Sequence, residues 1–312
     1  MSGLHHEKEA IEARYGPWTA HNIRLADGLY TISAQPAGDE VKLRRVTQLA
    51  LDVCGRSLDG VRVLDLACLE GMYALEFARR GAEVVAIEGR EANVEKARFA
   101  ARALGVEVDF QLGDVRDLSR ERHGEFDVVL ALGILYHLDA PDLFSLVERI
   151  ADVCRRALIA DTGIGSAGTE EFRHDGGTYR GLRLVEHAPE STEAERQRAV
   201  WSSLDNLTAV ALTRPSLERL LARNGFTSVL EAHVPAEPAK EFDRVTLLAL
   251  KGVAAAELIG PAPVSGPADV PERPPLGRRL EASRLRHLAR RILPRPLRAQ
   301  LRQLLGIETR RY

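Results

Sequence analysis

The sequence predicts an open α/β fold, a largely parallel sheet with helices on both faces, and three observations carry that prediction. Val61, Val63, Leu64 and Leu66 make a strand apolar on both faces that runs into a turn of small residues, Ala67, Cys68 and Gly71. A second apolar run, residues 82–88, ends in an acid, Glu88, about 20 residues beyond the first strand. Three further apolar runs, at 106–112, 126–132 and 157–161, then alternate with stretches of helical periodicity.

Ahead of the sheet, residues 1–60 read as a helical cover, with a short helix at 7–15, an irregular stretch, and a helix over 39–54. Trp18, His21, Asn22, Arg24 and Tyr30 place aromatic and polar groups in the irregular stretch, which suits a lid over an acceptor pocket. The other reading of Trp18 is a staple that holds the first helix to the core.

The turn after the first strand marks a nucleoside-cofactor site, since small residues leave backbone uncrowded and the helix starting near Met72 would aim free N–H groups at a ligand. Glu88 sits where a ribose diol needs an acceptor; its alternative is to cap the helix that begins near Glu91. The fourth strand, 126–132, leads into Gly133, Tyr136 and His137 at the edge where open α/β sheets place their chemistry. His137 is the candidate general base or acceptor-positioning group, with Asp161 at the end of strand five in reserve.

Residues 163–212 form a long insertion containing His174, Tyr179, Trp201 and Asn206, read as an acceptor cap, with a plain surface excursion as the alternative. After a helix at 215–224, runs at 227–234 and 244–251 supply the last two strands, in an order that suits an antiparallel hairpin. Residues 253–276 carry six prolines and read as a linker. Residues 277–312 read as a basic amphipathic tail of two short helices broken by Pro294 and Pro296.

The overall charge of −2 hides an asymmetry, because 11 Arg and two Glu give residues 277–312 a charge of +9 and leave −11 on the rest. An acidic body binds polyphosphate poorly, so the tail is the anchor for a membrane surface, a protein partner or nucleic acid. At 312 residues, with 45% apolar and 28% charged residues, the chain has the composition of a globular protein with one large core plus appendages. Cys54, Cys68 and Cys154 show no metal-ligand spacing and sit in apolar segments, which favours reduced thiols, no zinc and no other metal site. A polar N-terminus and the lack of an 18-residue apolar run predict no transmembrane segment and a cytoplasmic protein, peripheral at a membrane if the tail binds one.

Asp65, Ala67, Leu69 and Gly71 resemble motif I of the class I S-adenosylmethionine (SAM) methyltransferases, D/E-x-G-x-G-x-G, rather than the G-x-G-x-x-G of dinucleotide sites. Ala67 and Leu69 stand where that motif has glycine. The resemblance spans about residues 40–252 and implies a seven-stranded Rossmann-like sheet with an antiparallel last strand and SAM as cofactor. It also assigns Asp114 to the adenine amino group, with Asp117 as the rival, and Val115 to the adenine ring. Gly16-Pro-Trp18, His21-Asn-Ile, Asp27-Gly28 and Gly133-Ile-Leu-Tyr-His137 narrow the likeness to the branch that includes tRNA wobble-uridine (carboxy)methyltransferase-like proteins. The expected activity is O-methylation of a hydroxylated small molecule, saccharide or glycolipid. The alternatives are methyl or carboxymethyl transfer to a tRNA wobble uridine, a carboxylated SAM as donor, which would need a cation such as Arg24 or Arg90 near the reacting carbon, and a non-catalytic scaffold of the same fold.

Overall fold

The computed structural model describes residues 3–33, 41–235 and 243–252. The chain divides into two units, residues 1–237 with 243–263 and residues 238–242 with 264–312, and the second lies outside the described residues. The expectations for a Pro-rich linker at 253–276 and a basic tail at 277–312 therefore also fall outside them.

In chain order the elements are α1 (Gly3–Tyr15), β1 (Arg24–Ala26), β2 (Leu29–Tyr30), α2 (Val41–Cys54), β3 (Arg62–Leu66), α3 (Met72–Arg79), β4 (Glu83–Glu88) and α4 (Glu91–Leu104). They continue with β5 (Asp109–Leu112), α5 (Arg120–His123), β6 (Phe126–Leu132), α6 (Asp142–Val153), β7 (Cys154–Gly163), β8 (Glu170–His174) and β9 (Gly177–Val185). The last are α7 (Glu193–Arg198), β10 (Thr208–Leu212), α8 (Arg214–Arg223), β11 (Phe226–Glu231) and β12 (Arg244–Lys251).

Seven strands form one sheet in the order β11-β12-β7-β6-β3-β4-β5. β3 through β7 pair parallel, and β12 inserts antiparallel between β7 and β11. Both faces are buried because successive residues of the central strands feed opposite cores. Leu64, Val129, Leu158 and Leu247 join one apolar cluster, with Phe144 and Ile150 of α6, while Val63, Val128, Ile159 and Leu248 join the other, with Val46, Phe77 and Phe99 of the opposite helices. The Rossmann-like sheet with its antiparallel last strand is as the sequence predicts.

The helices follow their apolar stripes: Leu43, Val46 and Ala50 bury one face of α2, and Leu143, Leu146, Val147, Ile150 and Val153 bury one face of α6. Gly105, in the left-handed region, ends α4.

The insertion at 163–212 holds strands that its composition does not suggest. β8, β9 and β10 form a separate antiparallel sheet, and Phe172, Tyr179, Val210 and Leu212 anchor it in the α6-side core. Its hairpin turns at Asp175 and Gly176, both with positive φ, the geometry that an Asp-Gly pair favours. Among the described residues no helix is long and apolar enough to cross a membrane.

Candidate active site

The C-terminal edge of the parallel strands gathers the acids that the sequence singles out. β3 ends beside a tight turn in which Ala67 (φ 53°), Leu69 (φ 49°) and Gly71 (φ 82°) all take the left-handed region, a conformation costing roughly 1–2 kcal/mol for a residue with a Cβ. At Gly71 there is also no room, since a Cβ would lie 2.9 Å from Ala97 Cβ and 3.0 Å from the Phe110 ring. Gly71→Ala is therefore expected to destabilise the protein by about 2–4 kcal/mol, from backbone strain and overpacking together, read from the urea midpoint.

Glu88 is buried at the end of β4 and closes the turn from the outside. Its carboxylate accepts from Leu69 N–H (3.0 Å), Arg90 N–H (2.9 Å) and the Asn93 amide (3.2 Å). Burial raises its pKa, against the pull of these donors and of the Arg90 charge. Asp65, one strand over, is buried too. Burial pushes it up to about 7, opposed by a hydrogen bond from Ala74 N–H and reinforced by the charge of Glu88. Its Oδ2 is buried without a hydrogen-bond partner. Cys68 is buried as well, its thiol pushed up by burial and then by the charges of these two acids.

The N–H groups at the start of α3 are not left for a ligand in the way the sequence suggests. Met72 N–H donates to His21 Nδ1 (3.2 Å), and Ala74 N–H serves Asp65. His21 is therefore a buried cap on α3 rather than a pocket wall. Burial, then the Lys42 charge, lowers it to about 3, so it is neutral at physiological pH. Glu70, which no sequence motif singles out, fixes the same cover. Its Oε1 accepts from Thr19 N–H (2.7 Å), and its Oε2 from Ala20 N–H (3.0 Å) and His21 N–H (2.9 Å).

Trp18 is the staple: it is only 4% exposed and packs on Phe99 at 5.8 Å between centroids, with the Lys8 and Lys96 ammonium groups over its ring. Arg24 pairs with Asp27 beside the β1–β2 turn. Tyr179 is buried against Phe144, and His174 stacks on the same ring and meets Glu148. Trp18 and Tyr179 are thus buried rings, His21 caps α3, and His174 is only partly buried between Phe144 and Glu148.

After β5, Asp114 caps the 3-10 turn at Val115–Asp117, accepting from Arg116 N–H (2.8 Å), while Asp117 lies at the far end of that turn. Arg116 also forks onto the Asp114 carboxylate and reaches Asp142 (3.3 Å) and Asp205 (2.6 Å). Burial would raise Asp114, but the Arg116 bonds outweigh it and hold the acid below its ordinary range. Val115 is buried beside it.

At the end of β6, Gly133 has φ 106°, and a Cβ there would stand 3.3 Å from the Arg244 guanidinium. Arg244 donates to the Tyr136 hydroxyl (2.9 Å) and to Asp161, which also accepts from Thr246 Oγ1 (2.7 Å) and faces Lys42 Nζ at 3.5 Å. At 0% exposure, Asp161 ties Lys42, Arg244 and Thr246 together in this wall. His137 is different. Its ring lies 4.3 Å from that of Tyr136, and its Nδ1 is 2.9 Å from Glu186 Oε1 of the insertion.

Arg90 binds the insertion to the Glu88 end of β4. Its guanidinium donates to the carbonyls of Gln197 (3.0 Å), Ala199 (3.1 Å), Ser202 (3.0 Å) and Ser203 (3.1 Å). Leu204 packs so closely on Gly89 that a Cβ there would meet it at 2.2 Å. Among the described residues no cluster of His, Cys, Asp or Glu could hold a metal ion.

This sheet order is the Rossmann-like fold of the methyltransferases. Residues 63–157 match the family model described as a methyltransferase domain. The chain is 35% identical over 89 residues to a ubiquinone biosynthesis O-methyltransferase of Maricaulis maris, covering 28% of this chain and 35% of that protein. Its counterpart in Xanthomonas euvesicatoria is 32% identical over 120 residues, covering 38% of this chain and 49% of that protein. The chain thus spans half or less of the length of these curated relatives. The N-terminal domain of EvdMO1, crystallised in the presence of SAH and D-fucose, superposes with a TM-score of 0.62 at 22% identity, covering 81% of this chain and 98% of that one.

Proposed function

We propose that the chain is a SAM-dependent O-methyltransferase acting on a hydroxylated small molecule, saccharide or lipid-linked acceptor, with residues 163–212 as the acceptor cap. The observation that carries this reading is the pair of buried acids at the ends of adjacent strands, one with an oxygen lacking a partner. SAM has what they want: a diol for Glu88 and cationic groups to satisfy Asp65 Oδ2. Asp114 and Val115 hold the adenine end, and the turn from Ala67 through Cys68 to Gly71, with Gly133, forms the floor. The match to a methyltransferase domain and the ubiquinone O-methyltransferase relatives support the same chemistry.

Bound SAM would supply an electrophilic methyl group on a sulfonium, with a neutral thioether as leaving group. The chain's own task is alignment, exclusion of water, and removal of the acceptor hydroxyl proton. His137 takes that proton. Tyr136, fixed by Arg244, walls the acceptor side. A carboxylated donor would need a cation at the reacting carbon, and both arginines considered for it are engaged, Arg90 by the carbonyls of the cap and Arg24 by Asp27.

The elevated Asp65 pKa gives a direct test. Between 3.8 and about 7 the folded, ligand-free protein holds a proton that the unfolded chain has released, so Asp65 costs stability as pH rises through that window. A cationic ligand needs the ionised form. SAM affinity is thus expected to rise as pH increases through about 7, with a proton released on binding, and Asp65→Asn to remove that release. Calorimetry in buffers of different ionisation enthalpy measures it, and binding with no proton release at the lower pH would count against this placement. A tRNA acceptor, the alternative from the wobble-uridine likeness, is separated by ribonuclease treatment of an extract that supports methyl transfer: loss of transfer would favour tRNA.

A further inference from the structure

We propose that Glu186 is the positioning residue for His137, fixing the imidazole as the tautomer whose Nε2 is the proton acceptor. The proposal rests on the methyltransferase reading above for what the base does, and on bonds within the chain for how it is held.

A carboxylate accepts and cannot donate, so the 2.9 Å contact between Glu186 Oε1 and His137 Nδ1 requires the ring proton on Nδ1. A neutral His137 then has a bare Nε2, and among the described residues no protein group bonds to it. Glu186 has its other oxygen committed: Oε2 accepts from Ser203 N–H at 2.7 Å. Ser203 is held in turn, its carbonyl accepting from Arg90 (3.1 Å) and from His187 Nε2 (2.8 Å). Arg90 N–H donates to Glu88 at 2.9 Å. A continuous run of hydrogen bonds therefore joins the acid assigned to the ribose, through the cap, to the base. Glu186 is nearly buried, with a side chain 6% exposed, so neither bond is easily traded for water.

In the transfer, the acceptor oxygen gains the methyl group as the sulfonium C–S bond breaks, and its proton passes to His137 Nε2. The imidazolium so formed lies against the Glu186 carboxylate, which stabilises it, and later yields the proton to solvent.

Glu186→Gln separates this role from simple support of the cap. Ser203 N–H must face an oxygen, so the new amide presents its NH2 to His137 Nδ1. An NH2 donates, and the ring answers by moving its proton to Nε2, where it blocks the base. The experiment is 15N NMR of the imidazoles in the full chain saturated with SAH, at a pH where the ring is neutral, with His137 assigned through His137→Gln. The expected result is a proton on Nδ1 in the wild type and on Nε2 in Glu186→Gln, with SAH affinity unchanged. With an acceptor in hand, kcat falls by about two to four orders of magnitude while KM holds. A proton on Nε2 in the wild type overturns the proposal even if the variant does not fold, and so does an unchanged tautomer in a folded variant. Failure of the wild type to bind SAH is a different result, which counts against the methyltransferase reading and leaves the tautomer measurement standing.

Discussion

Glu88→Ala is expected to weaken SAH binding at least a hundredfold, about 2.7 kcal/mol, and to lower folded stability as well, because the buried donors from Leu69, Arg90 and Asn93 lose their acceptor. The ribose would lose its carboxylate acceptor, and hydrogen bonds to a charged group contribute about 1.5–3 kcal/mol each. The same substitution releases Leu69 N–H, which Glu88 holds at 3.0 Å, so the turn at 67–71 is no longer pinned in its left-handed geometry. Glu88→Gln keeps one acceptor oxygen and falls between the two. Calorimetry with SAH, alongside thermal denaturation of the same samples, reads both quantities. Unchanged affinity in a folded Glu88→Ala would remove Glu88 from the cofactor site.

The sheet is legible in the sequence because each of its central strands is a mostly apolar run bounded by a turn, and burial on both faces keeps polar residues within them few. β8 and β9 are hidden for the opposite reason. Their outer faces carry Glu171, Arg173 and Arg180, so they look like a charged loop, although Asp175-Gly176 marks the hairpin and Phe172 and Tyr179 mark its inner face. In the site, Asp65, Glu88 and Asp114 are visible because each stands at or just past the C-terminal end of a strand, and the strand itself can be read from its apolar run. Glu70, Arg90 and Glu186 are not, because their meaning lies in partners 49 or more residues away: Glu70 with His21, Arg90 with Ser203, Glu186 with His137. Of the two readings of Trp18, the staple depends on partners far along the chain for a related reason. Trp18 sits in a segment without regular periodicity, and its ring is buried in a core that only the tertiary fold assembles.

Glu70→Ala is expected to cost about 3–5 kcal/mol of stability, the range for removing one partner of a buried ion pair. Its side chain is 1% exposed and lies 3.5 Å from Lys96, itself 4% exposed. Without the carboxylate, the Lys96 ammonium keeps the Pro17 carbonyl (2.6 Å) and the Trp18 face, and the N–H groups of Thr19, Ala20 and His21 lose their shared acceptor. The damage reaches the cofactor turn, because His21 caps Met72 from the segment that Glu70 holds. Thermal denaturation should show a fall of roughly 10 °C, taking about 2–4 °C per kcal/mol for a domain of this size. Much of the cost is the stranded charge, so adding Lys96→Met should recover part of it. Strict additivity of the two substitutions would mean that the pair does not couple, and that the cover is held by Trp18 packing alone.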